Sequence, residues 1–155
     1  MPTPQVTCNK ALLRRFHEAV NARDVDVVST TIDEAFAPDV VVHTPVPTVA
    51  TGREGIKDVF ARLLRAYPDL QITTEDLIAE ADKIAAHNTV SGTHLGKYMG
   101  LPATGKTVTY EEVVIFRFAG KRIVESWAVV DVLSQRRQLG VGQNTLDDRD
   151  LRQAG

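Results

Sequence analysis

Thr107-Val-Thr-Tyr-Glu-Glu-Val-Val-Ile-Phe-Arg-Phe-Ala119, then Gly120-Lys121, then Arg122-Ile-Val-Glu-Ser-Trp-Ala-Val-Val130 is the stretch that decides the fold. Two runs rich in β-branched and aromatic residues flank a two-residue break. Glycine in the first central place suits a type II′ hairpin. If Gly120 and Lys121 form the loop, Ala119 faces Arg122 and Phe118 faces Ile123. In unbroken register Phe116 then faces Glu125, Val114 faces Trp127, Glu112 faces Val129 and Tyr110 faces Asp131. Because side chains alternate, Tyr110, Glu112, Val114, Phe116 and Phe118 share a face with Ile123, Glu125, Trp127, Val129 and Asp131. That face is largely apolar, with Tyr110, Glu112 and Asp131 at one end, as in a small-molecule pocket. A single bulge would exchange the two faces of one strand.

Upstream, Ile84 to His94 and Leu70 to Ala79 read as two more strands joined by the tight Glu80–Lys83 turn. Before them the pattern turns helical. Leu12, Leu13, Phe16 and Val20 recur at helical spacing from Lys10, and a second helix is expected over Val25 to Phe36. Pro38 is expected to end it, ahead of a short strand at Val40–His43 and a loop holding Pro45 and Pro47. Thr51-Gly-Arg-Glu54 has the form of a capping box, and Ile56, Val59, Phe60, Leu63, Leu64 and Tyr67 make one face of the helix behind it. Leu133 to Leu139 forms a short closing helix. Helices first and an antiparallel meander afterwards indicate an α+β fold: a curved antiparallel sheet with helices on one face, forming a cone with an internal pocket. Residues 1–9 read as a flexible leader, 10–142 as one domain and 143–155 as a polar tail.

The 155 residues, 43% hydrophobic and 25% charged, suit one soluble domain with its own core. A net charge of −2 offers no footprint for nucleic acid or an anionic membrane, so neither is an expected partner. Cys8 is the single cysteine, which excludes an internal disulfide and fits a reducing, cytoplasmic location. No His or Cys spacing typical of a metal site occurs, and no metal is expected. Gly100-Leu-Pro-Ala-Thr-Gly-Lys-Thr107 spells a phosphate-loop expression, but the β-branched run behind it is no helix, so the match is a coincidence.

Ser91-Gly-Thr-His94, Gly96, Met99-Gly-Leu-Pro102, Thr104-Gly-Lys106, Ile115-Phe-Arg117, Ile123-Val-Glu125, Trp127 and Asp131 closely resemble the SnoaL-like polyketide cyclase family. Phe36-Ala-Pro-Asp39, His43, Gly52 and Tyr67-Pro-Asp-Leu70 extend the resemblance over residues 10–140. It implies a nuclear-transport-factor-like fold, commonly a homodimer or homotetramer, whose relatives include isomerases, epoxide hydrolases, dehydratases and silent binding modules. It also implies that the acid four residues after the motif tryptophan, here Asp131, drives an intramolecular aldol closure without metal or cofactor. The family's Asp-Gly-Lys turn is Ala-Gly-Lys here.

The chemistry expected is general acid/base catalysis on a small apolar or aromatic carbonyl ligand. Asp131 is the expected catalytic group, its pKa raised by burial beside Trp127 and Val129. Tyr110 would hydrogen-bond an enolate or orient the carboxylate, and Glu112, Val114 and Phe116 would complete the wall. His43 and His94, each at a strand end, are further candidates for polarising a carbonyl, with simple backbone bonding the plainer role for His94. Asp131 also precedes Leu133 and is equally suited to cap the last helix. A non-catalytic ligand-binding or dimerisation module, or a hydrolase or dehydratase, would use the same cavity.

Overall fold

The computed structural model describes residues 1–141; the expected tail at 143–155 lies outside them. The helices are α1 (Pro4–Ala22), α2 (Val25–Ala35), α3 (Gly52–Ala66) and α4 (Val132–Gln138). The strands are β1 (Phe36–His43), β2 (Gln71–Glu80), β3 (Lys83–Thr93), β4 (Thr107–Ala119) and β5 (Arg122–Val130). They form one sheet in the order β1-β5-β4-β3-β2. The run from β2 to β5 is the expected antiparallel meander. β1 joins it parallel to β5, so the α+β sheet is mixed and open rather than wholly antiparallel.

Two boundaries differ from the sequence reading. α1 begins at Pro4 rather than Lys10, so Pro4 to Asn9 are helical and not a leader. Thr3 explains this: its hydroxyl accepts the Val6 N–H at 3.3 Å, and proline suits the first helical position. Pro38 lies inside β1 rather than ending α2. This is tolerable because β1 is an edge strand whose pairing is interrupted between Phe36 and Val41. The expected capping box does not form. Thr51 makes no side-chain cap bond, and Glu54 instead pairs with Lys57 at 3.1 Å. Gly52, first in the helix, has φ 62°, which breaks the regular entry that a reciprocal cap needs.

The helices cover one face of the sheet. α1 packs on α2 and β2, α3 on β1 and α2, and α4 on β4. Leu13, Val20, Ile32, Phe36, Leu70 and Ile123 are among the buried side chains that join these layers.

The β4–β5 hairpin turns as expected, with Gly120 at φ 62°. Ala119 pairs with Arg122 and Phe118 with Ile123. Then the register shifts: Arg117 pairs with Glu125, Phe116 with Ser126, Ile115 with Trp127 and Glu112 with Val130. Val124 is the extra residue, a bulge that reverses the facing of everything beyond it in β5. Ser126, Ala128 and Val130 therefore turn toward the helices beside Phe116, Val114 and Glu112. Glu125, Trp127 and Val129 turn outward beside Arg117, Ile115 and Val113.

Candidate active site

A cavity of about 120 Å³ lies between the inner sheet face and the helices, walled by Phe16, Ile56, Phe60, Leu63, Val114 and Phe116 among others. Aliphatic and aromatic carbon dominates its surface. Its polar exceptions include His17 from α1, Tyr98 from the β3–β4 loop, and Tyr110 and Glu112 from β4. For scale, a void of roughly 150 Å³ holds one benzene ring. The enclosed space thus takes about one six-membered ring.

Glu112 is the carboxyl of this cavity. Burial disfavours its charged form and pushes its pKa above the ordinary glutamate value. Asn88 opposes that push, its Nδ2 donating to Glu112 Oε1 at 3.0 Å. Asn88 pairs with Glu112 across β3–β4 and with Thr74 across β2–β3, so the three share one cross-strand row. Asn88 is fully buried, and its Oδ1 has no partner among the described residues. Burial also raises Tyr110 well above the usual tyrosine value and carries Tyr98 up to about 12. Both phenols are protonated donors at neutral pH.

His17 is buried, and desolvation lowers its pKa to about 4, so the imidazole is neutral at physiological pH. Its Nδ1 lies 2.8 Å from the Thr74 hydroxyl. His17 is not among the site residues expected from the sequence. The signal was present, because Leu13, His17 and Val20 fall on one helical stripe whose other members are apolar. Asn88 was missed as well, although Ile84, Ala86, Asn88 and Val90 have one parity along β3 and all four are buried.

Of the residues expected at the site, Tyr110, Glu112, Val114 and Phe116 line the cavity. Asp131 does not. Val130 faces inward, so the next side chain points away; Asp131 is exposed and its Oδ1 accepts the Ser134 N–H at 3.0 Å, capping α4. Trp127 and Val129 are carried to the outer face by the Val124 bulge. His43 follows them: its ring stacks on Trp127 at 5.5 Å with 7° between planes, and Nε2 lies 2.9 Å from Glu125 Oε2. His94 is buried at the base of the β3–β4 loop. Its Nδ1 accepts the Thr104 N–H at 3.2 Å, and its peptide groups bond Lys106 and Gly105. It fastens the loop rather than facing the cavity.

Among the described residues, no three His, Cys, Asp or Glu side chains converge well enough to hold a metal ion. No helix there is long and apolar enough to cross a membrane.

A family model described as SnoaL-like polyketide cyclase matches residues 10–139. No curated protein is significantly similar to the chain in sequence. Among solved structures, TsrD from Streptomyces laurentii is 30% identical, with 86% of this chain and 96% of that one covered and a TM-score of 0.77. IdmH from Streptomyces antibioticus is 29% identical over 86% of this chain and 99% of its own, with a TM-score of 0.70. A SnoaL-like polyketide cyclase from Agrobacterium tumefaciens is 25% identical over 90% and 100%, with a TM-score of 0.68.

Proposed function

The chain belongs to the SnoaL-like polyketide cyclase family, and from that premise we propose a cofactor-free enzyme that closes or isomerises a ring-bearing carbonyl compound by acid/base chemistry. The observation that carries this reading is Glu112: a carboxyl with raised pKa in a mostly apolar cavity, hydrogen-bonded by Asn88. As carboxylate, Glu112 takes a proton from the carbon beside a substrate carbonyl. The resulting enolate carbon attacks a second carbonyl carbon of the same molecule, forming the new C–C bond. The alkoxide so formed takes the proton back from Glu112, so the product is an isomer of the substrate and the carboxylate is regenerated. Asn88 occupies Oε1, which leaves Oε2 for the substrate proton.

The cavity admits about one ring, so a larger substrate would insert one end and leave the rest at the mouth. The test uses a diketone with one aromatic ring that can close on itself. The wild type is expected to yield an isomer of unchanged mass above the buffer rate, and Glu112→Gln is expected not to. Saturable binding of the diketone without conversion would instead support the ligand-binding module.

We also infer that the outer sheet face pairs with a second copy of the chain. Ile78, Val41 and Val129 are 63%, 50% and 73% exposed there, and Trp127 and Ile115 lie among them. Lys83 and Arg117 stand beside Glu125 on the same face, so it carries both charge signs and suits its own copy across a two-fold axis. Sedimentation should find a dimer for the wild type and a monomer for Val129→Glu. A monomeric wild type at micromolar concentration would contradict the pairing.

A further inference from the structure

Two hydroxyl groups in the cavity make no hydrogen bond to the described residues. Tyr98 and Tyr110 are 8% and 7% exposed, and both line the cavity. Among the described residues, neither phenolic oxygen has a hydrogen-bond partner, whereas the hydroxyl of neighbouring Tyr67 accepts from Gln135 Nε2 at 3.1 Å. Neither oxygen is among the fully enclosed unpartnered side-chain atoms, so each keeps accessible surface, which in residues this buried opens on the cavity they line. A ligand oxygen seated there would supply the acceptor that the apolar wall lacks.

Both donors are held in place. Tyr110 sits mid-sheet, paired with Val90 across β3–β4. Tyr98 is clamped by a tight turn in which its N–H and C=O both bond Leu101, at 3.0 and 2.9 Å, with Met99 and Gly100 at positive φ. Its ring packs edge-on against Tyr67 at 5.7 Å. His94 and Thr104 tie the base of the same loop.

We infer that Tyr98 and Tyr110 form an oxygen-binding subsite that takes one planar ring bearing a ketone, enol or phenol oxygen, with both phenolic O–H groups donating to that oxygen. The ring fills the apolar part of the cavity and its oxygen lies at the polar end shared with Glu112. An oxygen that gains negative charge is favoured over a neutral one, because charge-assisted bonds are the stronger. Burial above all holds Tyr110 in its protonated form, so it remains a donor toward the bound oxygen. This names what the acid/base site holds and rests on that reading, but it is testable by binding alone.

The probe is 4-nitrophenol, titrated calorimetrically against the intact protein, with 4-nitrotoluene as its partner lacking the oxygen. Wild type should bind 4-nitrophenol with one-to-one stoichiometry and 4-nitrotoluene more weakly. Tyr98→Phe and Tyr110→Phe keep the ring volume; each should weaken 4-nitrophenol roughly 10-fold and leave 4-nitrotoluene unchanged. Equal affinity for 4-nitrophenol in wild type and both variants would overturn the subsite. So would failure of the wild type to bind it, or to prefer it over 4-nitrotoluene. Glu112→Gln separates the two readings. Binding that weakens in the tyrosine variants, with full turnover in Glu112→Gln, would keep the subsite and remove the acid/base role.

Discussion

Glu112→Gln is expected to lower turnover by about 10²–10⁴-fold, the usual contribution of a positioned general base. The replacement is nearly isosteric and its amide oxygen can still accept from Asn88, so the loss would report the missing proton acceptor rather than a collapsed wall. The pH dependence carries the same signature. The base must be ionised to act, and burial holds its pKa above the ordinary glutamate value. The acid limb of the rate profile should therefore lie above the range of an exposed glutamate, rate rising with pH through it. Asn88 opposes the upward shift, so Asn88→Ala should move that limb higher still. Stability should change in the opposite sense. A carboxyl with a raised folded pKa binds its proton more tightly in the folded state, so its contribution is lost as pH rises through the folded pKa. Glu112→Gln should be at least as stable as the wild type at neutral pH, the expected relation where a functional group strains its surroundings.

The second large effect is acid sensitivity through His17. Its pKa is about 4 in the folded protein against 6.5 ordinarily. Between those values the unfolded chain binds a proton that the folded chain refuses, so stability falls as pH drops from about 6.5 to 4. A gap of that size corresponds to about 3 kcal/mol. Glu112 acts the opposite way over an overlapping window, so the slope is best read in the Glu112→Gln background. There, urea midpoints should fall steadily from pH 6.5 to 4, and adding His17→Gln should flatten the slope. Persistence of the slope without His17 would place the acid-labile group elsewhere.

The sequence carried the large features because they rest on periodicity. The two-residue turn at Gly120, the alternation through β4 and the apolar stripe of α3 each announce themselves within a dozen residues. The inner wall of β4 was legible for the same reason: four of its expected members line the cavity. What failed was long-range register. Val124 differs in no local way from its neighbours in a run of strand formers, yet its bulge sends Trp127 outward and takes His43 along as its stacking partner. From its sequence Asp131 suits either catalytic acid or helix cap, and parity after the bulge makes it the cap. Asn88 and His17 were overlooked for another reason. A polar residue in a buried register reads as an exposed one until its neighbours are known, and only packing distinguishes the two.

The central claim is that the working carboxyl of this cavity is Glu112 and not Asp131. It is tested most directly by deuterium incorporation from heavy water into the carbon beside the carbonyl of an aryl methyl ketone, followed by proton NMR for Glu112→Gln and Asp131→Asn side by side. Exchange is expected to fall to the buffer rate in Glu112→Gln and to stay near the wild-type rate in Asp131→Asn. Exchange that survives in Glu112→Gln and disappears in a folded Asp131→Asn protein would contradict it.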